Sequence, residues 1–150
     1  MPYWHRDLQY SGLDETEQQH QLTTLLDLHL RVPLLAELGF ELIPGSQRRW
    51  DTERERAVRL ERGNCRSSED PPAGRRFDMN PGDLLIFHAH MPHRGNYALN
   101  KERLSFDICL GAPQPAPLVR PEPALLPQRE ELAFIRFPQW YSRALTLATR

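Results

Sequence analysis

The chain's 150 residues fit one domain, and 19 basic against 20 acidic residues leave a formal net charge of -1, without the basic footprint of a nucleic-acid binder. Hydrophobic residues at 39% and balanced charge exclude the composition of a disordered chain, and no apolar run approaches the roughly 20 residues a membrane helix needs. The opening MPYWHRDLQ has no signal-peptide core, and two cysteines, Cys65 and Cys109, make no disulfide framework, so a reducing, cytoplasmic setting is expected.

Fourteen prolines and eight glycines favour short strands over long helices. Residues 3–8 read as a strand, and the polar stretch 13–24 as helix or loop. Residues 28–35 read as a strand in which Pro33 signals an edge or a bulge. Residues 40–46 form a short strand entering a turn. Charges alternate at helical spacing over 48–64, the pattern of a solvated helix or lid. A loop follows at 66–76. Residues 83–90 form a strand after the turn Asn80-Pro81-Gly82, and 103–110 form another. The stretch 112–128 holds Pro113, Pro115, Pro117, Pro121, Pro123 and Pro127 and reads as an extended tail, with a short helix over 128–137. Residues 1–111 are thus expected to be the core, and 112–150 a proline-rich tail with a short C-terminal helix. Many short strands separated by turn residues suggest an all-β barrel or jelly roll with minor helices.

Strand alternation divides 103–110 into two faces. Arg103, Ser105, Asp107 and Cys109 share one; Leu104, Phe106, Ile108 and Leu110 share the other, the expected packing face against a second layer. Cys109 is expected to be buried, and Cys65 to be an exposed loop thiol. Trp50 and Trp140 read as packing residues and His20 as solvated.

His5-Arg6-Asp7 carries the first chemical signal. On a strand, His5 and Asp7 share a face about 7 Å apart, with Arg6 turned away. An imidazole and a carboxylate are two members of the two-His-one-carboxylate set that binds non-haem iron with positions left open. A surface strand end would read the same way. Residues 80–111 carry the second signal: a turn, a strand, His93 at a chain break, then Arg103 with Ser105 as its same-face neighbour. Guanidinium matches a carboxylate with two parallel hydrogen bonds, and the serine adds a donor. Arg103 paired with Asp107 or another internal acid is the alternative. His88 and His90 share a strand face and read as a polar strand end.

The pieces Trp4-His5-Arg6-Asp7, Ile43-Pro44-Gly45-Ser46, Pro81-Gly82-Asp83-Leu84-Leu85-Ile86-Phe87-His88, and His93 followed by Arg103 resemble the phytanoyl-CoA dioxygenase family of iron(II)/2-oxoglutarate-dependent oxygenases. The resemblance spans residues 3–111. It implies a double-stranded β-helix, the cupin-like jelly roll, with His5, Asp7 and His93 as catalytic iron ligands. Arg103 would hold the distal carboxylate of 2-oxoglutarate, assisted by Ser105. The implied reaction couples decarboxylation of 2-oxoglutarate to succinate with hydroxylation of a small-molecule C–H bond by O2. Gln47 stands where the family usually has histidine, and His29 and Arg31 lie on the strand that would replace a co-substrate aromatic residue. Only four residues precede His5, so an N-terminally incomplete jelly roll is expected. Its open sheet edge would be available to a second copy of the chain. A jelly-roll module that binds a ligand or partner without catalysis is the alternative reading.

Overall fold

Two three-stranded antiparallel sheets carry the first of two compact units, 1–113 and 114–150. The computed structural model describes residues 2–10, 12–24, 26–111, 124, 126–142 and 145–146. One sheet has β1 (Asp27–Pro33) between β4 (Leu85–His88) and β6 (Ser105–Gly111). The other has β2 (Glu37–Leu42) between β3 (Arg75–Met79) and β5 (His93–Gly95). Helices are short: α1 (Glu15–Gln21) and α2 (Glu53–Arg59) in the first unit, and α3 (Arg129–Leu132) in the second. Among the described residues, no helix is long and apolar enough to cross a membrane.

Local chemistry explains the punctuation. Asp14 and Glu17 cap α1 reciprocally, and Thr52 and Glu55 do the same for α2, each satisfying amides that a helix start leaves open. Pro44 and Gly45 turn the chain after β2. Gly45 adopts φ 80°, and Ser46 N donates to Ile43 O at 3.3 Å.

Phe87 of the first sheet meets Phe40, Leu42 and Met79 of the second, and Met91 completes the cluster. The Phe40 and Phe87 ring centroids are 5.0 Å apart. Burying each such side chain contributes about 1.5–3 kcal/mol. A second cluster joins Trp4, Ile43 and Val58.

Several expectations are corrected. Residues 3–8 do not form a strand. His5 makes a single bridge to His93, and Asp7–Tyr10 is a 3-10 turn. Trp4 N donates to Ser67 O, so this segment has a neighbour on that side as well. β1 is a central strand, and Pro33 closes it opposite Ser105, where a missing N–H costs least. The charged β3 starts at Arg75 and Arg76, inside the expected loop 66–76; it is an edge strand, and edges tolerate charge. In α2, Glu55, Val58 and Arg59 are buried, so this helix is not solvated all round. The Leu104, Phe106, Ile108 and Leu110 face is exposed and not packed, with Phe106 at 57% and Ile86 of the same sheet at 55%. Cys109 is exposed because β6 is an edge strand, whereas Cys65 is half-buried. The expected terminal helix at 128–137 is only α3 followed by turns. Residues 112–123 and 125 of the proline-rich stretch, and the Trp140 side chain, lie outside the described residues. His20 is exposed, and the guanidiniums of Arg6 and Arg59 lie 5.2 and 5.4 Å from the Trp50 ring centroid.

Candidate metal centre

Chain closure brings His5, Asp7 and His93 together. His5 N donates to His93 O at 3.0 Å, and His93 N returns the bond to His5 O at 2.9 Å. Directly opposed residues of an antiparallel pair project to one side, so both imidazoles stand side by side, with ring centroids 4.3 Å apart. The 3-10 turn that starts at Asp7 then brings its carboxylate near the Nε2 of both rings. Asp7 N donates to Ala89 O at 3.2 Å and ties this turn to the end of β4.

Arg6 anchors the segment from the opposite side. Its guanidinium is fully buried and reaches Asp51 through Nε at 2.8 Å and Nη2 at 2.7 Å. It also donates to the carbonyls of Ser46, His90 and Arg49. Asp51 binds Arg59 through its second oxygen at 2.7 Å.

The donor atoms suit a cation. His5 Nδ1 lies 3.1 Å from Tyr3 O, and His93 Nδ1 lies 2.8 Å from Met91 O. A carbonyl accepts only from N–H, so each Nδ1 carries a proton and Nε2 is the ring nitrogen left to face a cation. Those Nε2 atoms lie 3.7 and 3.6 Å from Asp7 Oδ1. The three ligand atoms all lie within 4.8 Å of one another, so the group can hold a metal ion. Among the described residues, no other cluster of three or more such side chains does.

Electrostatics agree with that assignment. Burial lowers the His93 imidazole to about 4, with His5 acting in the same sense, so His93 is neutral at pH 7. Burial pushes the Asp7 carboxyl up, but His29, His93 and His5 outweigh it and leave it below its ordinary value. His29 was not assigned a role from the sequence. Its Nε2 lies 3.1 Å from Asp7 Oδ2, and Asp7 chiefly, then Cys109, raises its imidazole to about 10.

His88 and His90 stay out of the group. His88 ends β4, and His90 lies buried in the turn beyond it, so they do not form the shared strand face expected. His90 N donates to His88 Nδ1 at 3.2 Å. Both ring nitrogens of His90 are buried without a hydrogen-bond partner.

Arg103 and Ser105 belong to an ion network at the start of β6. Arg103 Nε donates to Glu37 Oε2 at 3.0 Å, Nη2 to Ser105 Oγ at 3.3 Å, and the guanidinium lies 3.9 Å over the Tyr97 ring. Arg31 grips the same Glu37 through Nε at 2.7 Å and Nη2 at 3.1 Å. It also donates to Asp107 and to Ser105 Oγ. Glu37 is fully buried. Burial raises its carboxyl, but the two guanidiniums outweigh that and hold it below the ordinary range. Asp107 pairs with Arg31, and Glu37 is the acid that meets Arg103. The pairing of Arg31 with Glu37 escaped the sequence reading, because it runs between β1 and β2 and no spacing encodes it.

Register links the two sites. Along β1, His29 faces Cys109, Arg31 faces Asp107 and Pro33 faces Ser105. Two residues of strand, about 7 Å, separate the His29 level beside Asp7 from the Arg31 level of the ion network. Family models, curated proteins and solved structures give no match to this chain.

Proposed function

We propose that this protein is an iron(II)/2-oxoglutarate-dependent oxygenase, of the phytanoyl-CoA dioxygenase kind, that hydroxylates a small molecule. The observation that carries this reading is the convergence of His5 Nε2, Asp7 Oδ1 and His93 Nε2, with both Nδ1 atoms tied to backbone carbonyls. A two-His-one-carboxylate set is the donor pattern of non-haem iron(II) oxygenases. Bound there, iron(II) would supply O2 activation driven by decarboxylation of 2-oxoglutarate. His5 and His93 would each contribute an Nε2 donor, and Asp7 one negative charge. Arg103 and Ser105, about one strand step beyond Arg31, bind the distal carboxylate of the co-substrate, and Tyr97 holds the Arg103 plane. The distribution of strands supports a double-stranded β-helix: β1, β4 and β6 lie in one sheet, and β2, β3 and β5 in the other, all antiparallel.

Glu37 favours a second reading. It already occupies Arg31 and the Nε of Arg103 with a protein carboxylate. A metal-binding jelly-roll module without 2-oxoglutarate chemistry would leave that network closed. Anaerobic titration with iron(II) and then 2-oxoglutarate, followed by visible absorption, separates the two. A metal-to-ligand charge-transfer band on adding 2-oxoglutarate is expected for the oxygenase. Iron binding without that band leaves the module.

A further inference from the structure

Asp7 offers its two oxygens to different partners. Oδ1 faces His5 Nε2 and His93 Nε2 at 3.7 and 3.6 Å, whereas Oδ2 faces His29 Nε2 at 3.1 Å. His29 is well placed to hold that second oxygen. It lies on the central strand β1, directly opposite Phe87 on one side and Cys109 on the other, so both backbone edges are paired. Its ring packs against Phe87, 5.1 Å between centroids. Asp7, by contrast, sits on a four-residue 3-10 turn, and its Oδ2 is held across the site by His29.

We infer that His29 is a positioning residue that donates from Nε2 to Asp7 Oδ2 and so presents Oδ1 alone to the metal. The inference rests on the metal reading of His5, Asp7 and His93. Ligating carboxylates and imidazoles depend on such outer hydrogen bonds, and losing one typically costs 10–100-fold in metal affinity. One-oxygen ligation also bears on the proposed chemistry. A carboxylate free to turn can bind through both oxygens and take up a position that a chelating co-substrate and O2 would need. His29 therefore keeps the centre open as well as oriented. Its ring is not part of the ligand group itself, which comprises His5, Asp7 and His93.

Cobalt(II) titration of the full chain tests this, with affinity and the visible d–d spectrum as readouts. His29→Phe keeps a ring against Phe87 but removes the donor. His29→Gln restores an N–H that can reach Asp7. Affinity in His29→Phe is expected to fall at least tenfold, with a changed d–d spectrum. His29→Gln is expected to recover much of the affinity and the wild-type spectrum. Wild-type affinity and spectrum in a folded His29→Phe chain would overturn the inference and leave the metal reading intact. A His29→Gln spectrum as altered as that of His29→Phe would make His29 a ligand, which also overturns it. If His29→Phe fails to fold, His29→Gln alone decides: loss of affinity without recovery counts against positioning. No cobalt binding by the wild-type chain would remove the metal reading itself.

Discussion

His5 and His93 exchange both of their backbone hydrogen bonds, at 3.0 and 2.9 Å, and this one bridge sets two imidazoles side by side. The geometry of this histidine pair is therefore written in the main chain. Each ring is further held by its own Nδ1 on a carbonyl two residues back, Tyr3 O or Met91 O. The side chains need little rearrangement to accept a cation.

Alanine at 5, 7 or 93 is expected to lower metal stoichiometry from one toward zero, measured by cobalt or iron titration. Alanine at 88 or 90 is expected to leave it at one. The distinction follows from the donor atoms: among the described residues, only His5, Asp7 and His93 converge. Retained affinity in His93→Ala with loss in His90→Ala would reverse the assignment.

Arg103→Ala is expected to weaken 2-oxoglutarate binding at least tenfold, since a charged hydrogen bond contributes about 1.5–3 kcal/mol. Metal affinity should change little. Arg31 still holds Glu37 in that variant, so the buried acid keeps a partner. Arg103→Lys should recover only part, because an ammonium cannot present a planar fork over Tyr97. Calorimetric titration of metal-loaded protein checks both values. An unchanged 2-oxoglutarate affinity would remove Arg103 from the co-substrate site.

Asp51 sits buried between two buried guanidiniums. Asp51→Asn leaves Arg6 and Arg59 without their counter-charge, which is expected to cost about 3–5 kcal/mol in a denaturant titration. Arg6 separates His5 from Asp7, so metal affinity should fall as well. A change under about 1 kcal/mol would show that the surrounding carbonyls suffice.

Stability should decline on mild acidification through His90. Burial lowers its imidazole to about 4, with His88 acting in the same direction, whereas an unfolded histidine titrates near 6.5. Below about 6.5 the unfolded chain takes up a proton that the folded chain refuses. The contribution is thus complete above the unfolded value and is lost as pH falls toward 4. Between pH 6.5 and 5 this removes about 2 kcal/mol. His90→Leu, which also removes two unpartnered buried nitrogens, should lose that much less between pH 7 and 5 in urea titrations. Identical acid sensitivity in both chains would contradict this account.

Gly39→Ala is expected to destabilise the chain by at least about 2 kcal/mol. Gly39 adopts φ 89°, and an added Cβ would strike Asn96 O. The irregularity in β2 pairing between Glu37 and Phe40 includes this residue, so the change should also disturb Glu37. Thermal unfolding of the two chains gives the comparison.

Much of the local structure was legible. Period-2 alternation placed Arg103, Ser105, Asp107 and Cys109 on one face, and Ser105 and Asp107 do accept from the same Arg31 guanidinium, with Arg103 also donating to Ser105. Which face packs was not legible. Alternation has no sign, and the apolar face of β6 turned out to be the exposed one. The His5-x-Asp7 spacing pointed to shared ligation, but through a strand that does not form. A bridge followed by a 3-10 turn brings the same two side chains together by another local route.

Local chain chemistry sets the inventory: the donor types, the turn at Pro44-Gly45 and a balanced charge. These depend on neighbours within a few residues, whose mutual geometry the covalent chain already restricts. Which donors meet is settled by chain closure. The pairing of His5 with His93, the grip of Arg31 and Arg103 on Glu37, and the contact of His29 with Asp7 all join separate elements. Such contacts exist once backbone pairing and burial have closed the chain. A buried charge such as Glu37 takes whichever partner that closure delivers, because leaving it unpaired costs more than any local preference supplies.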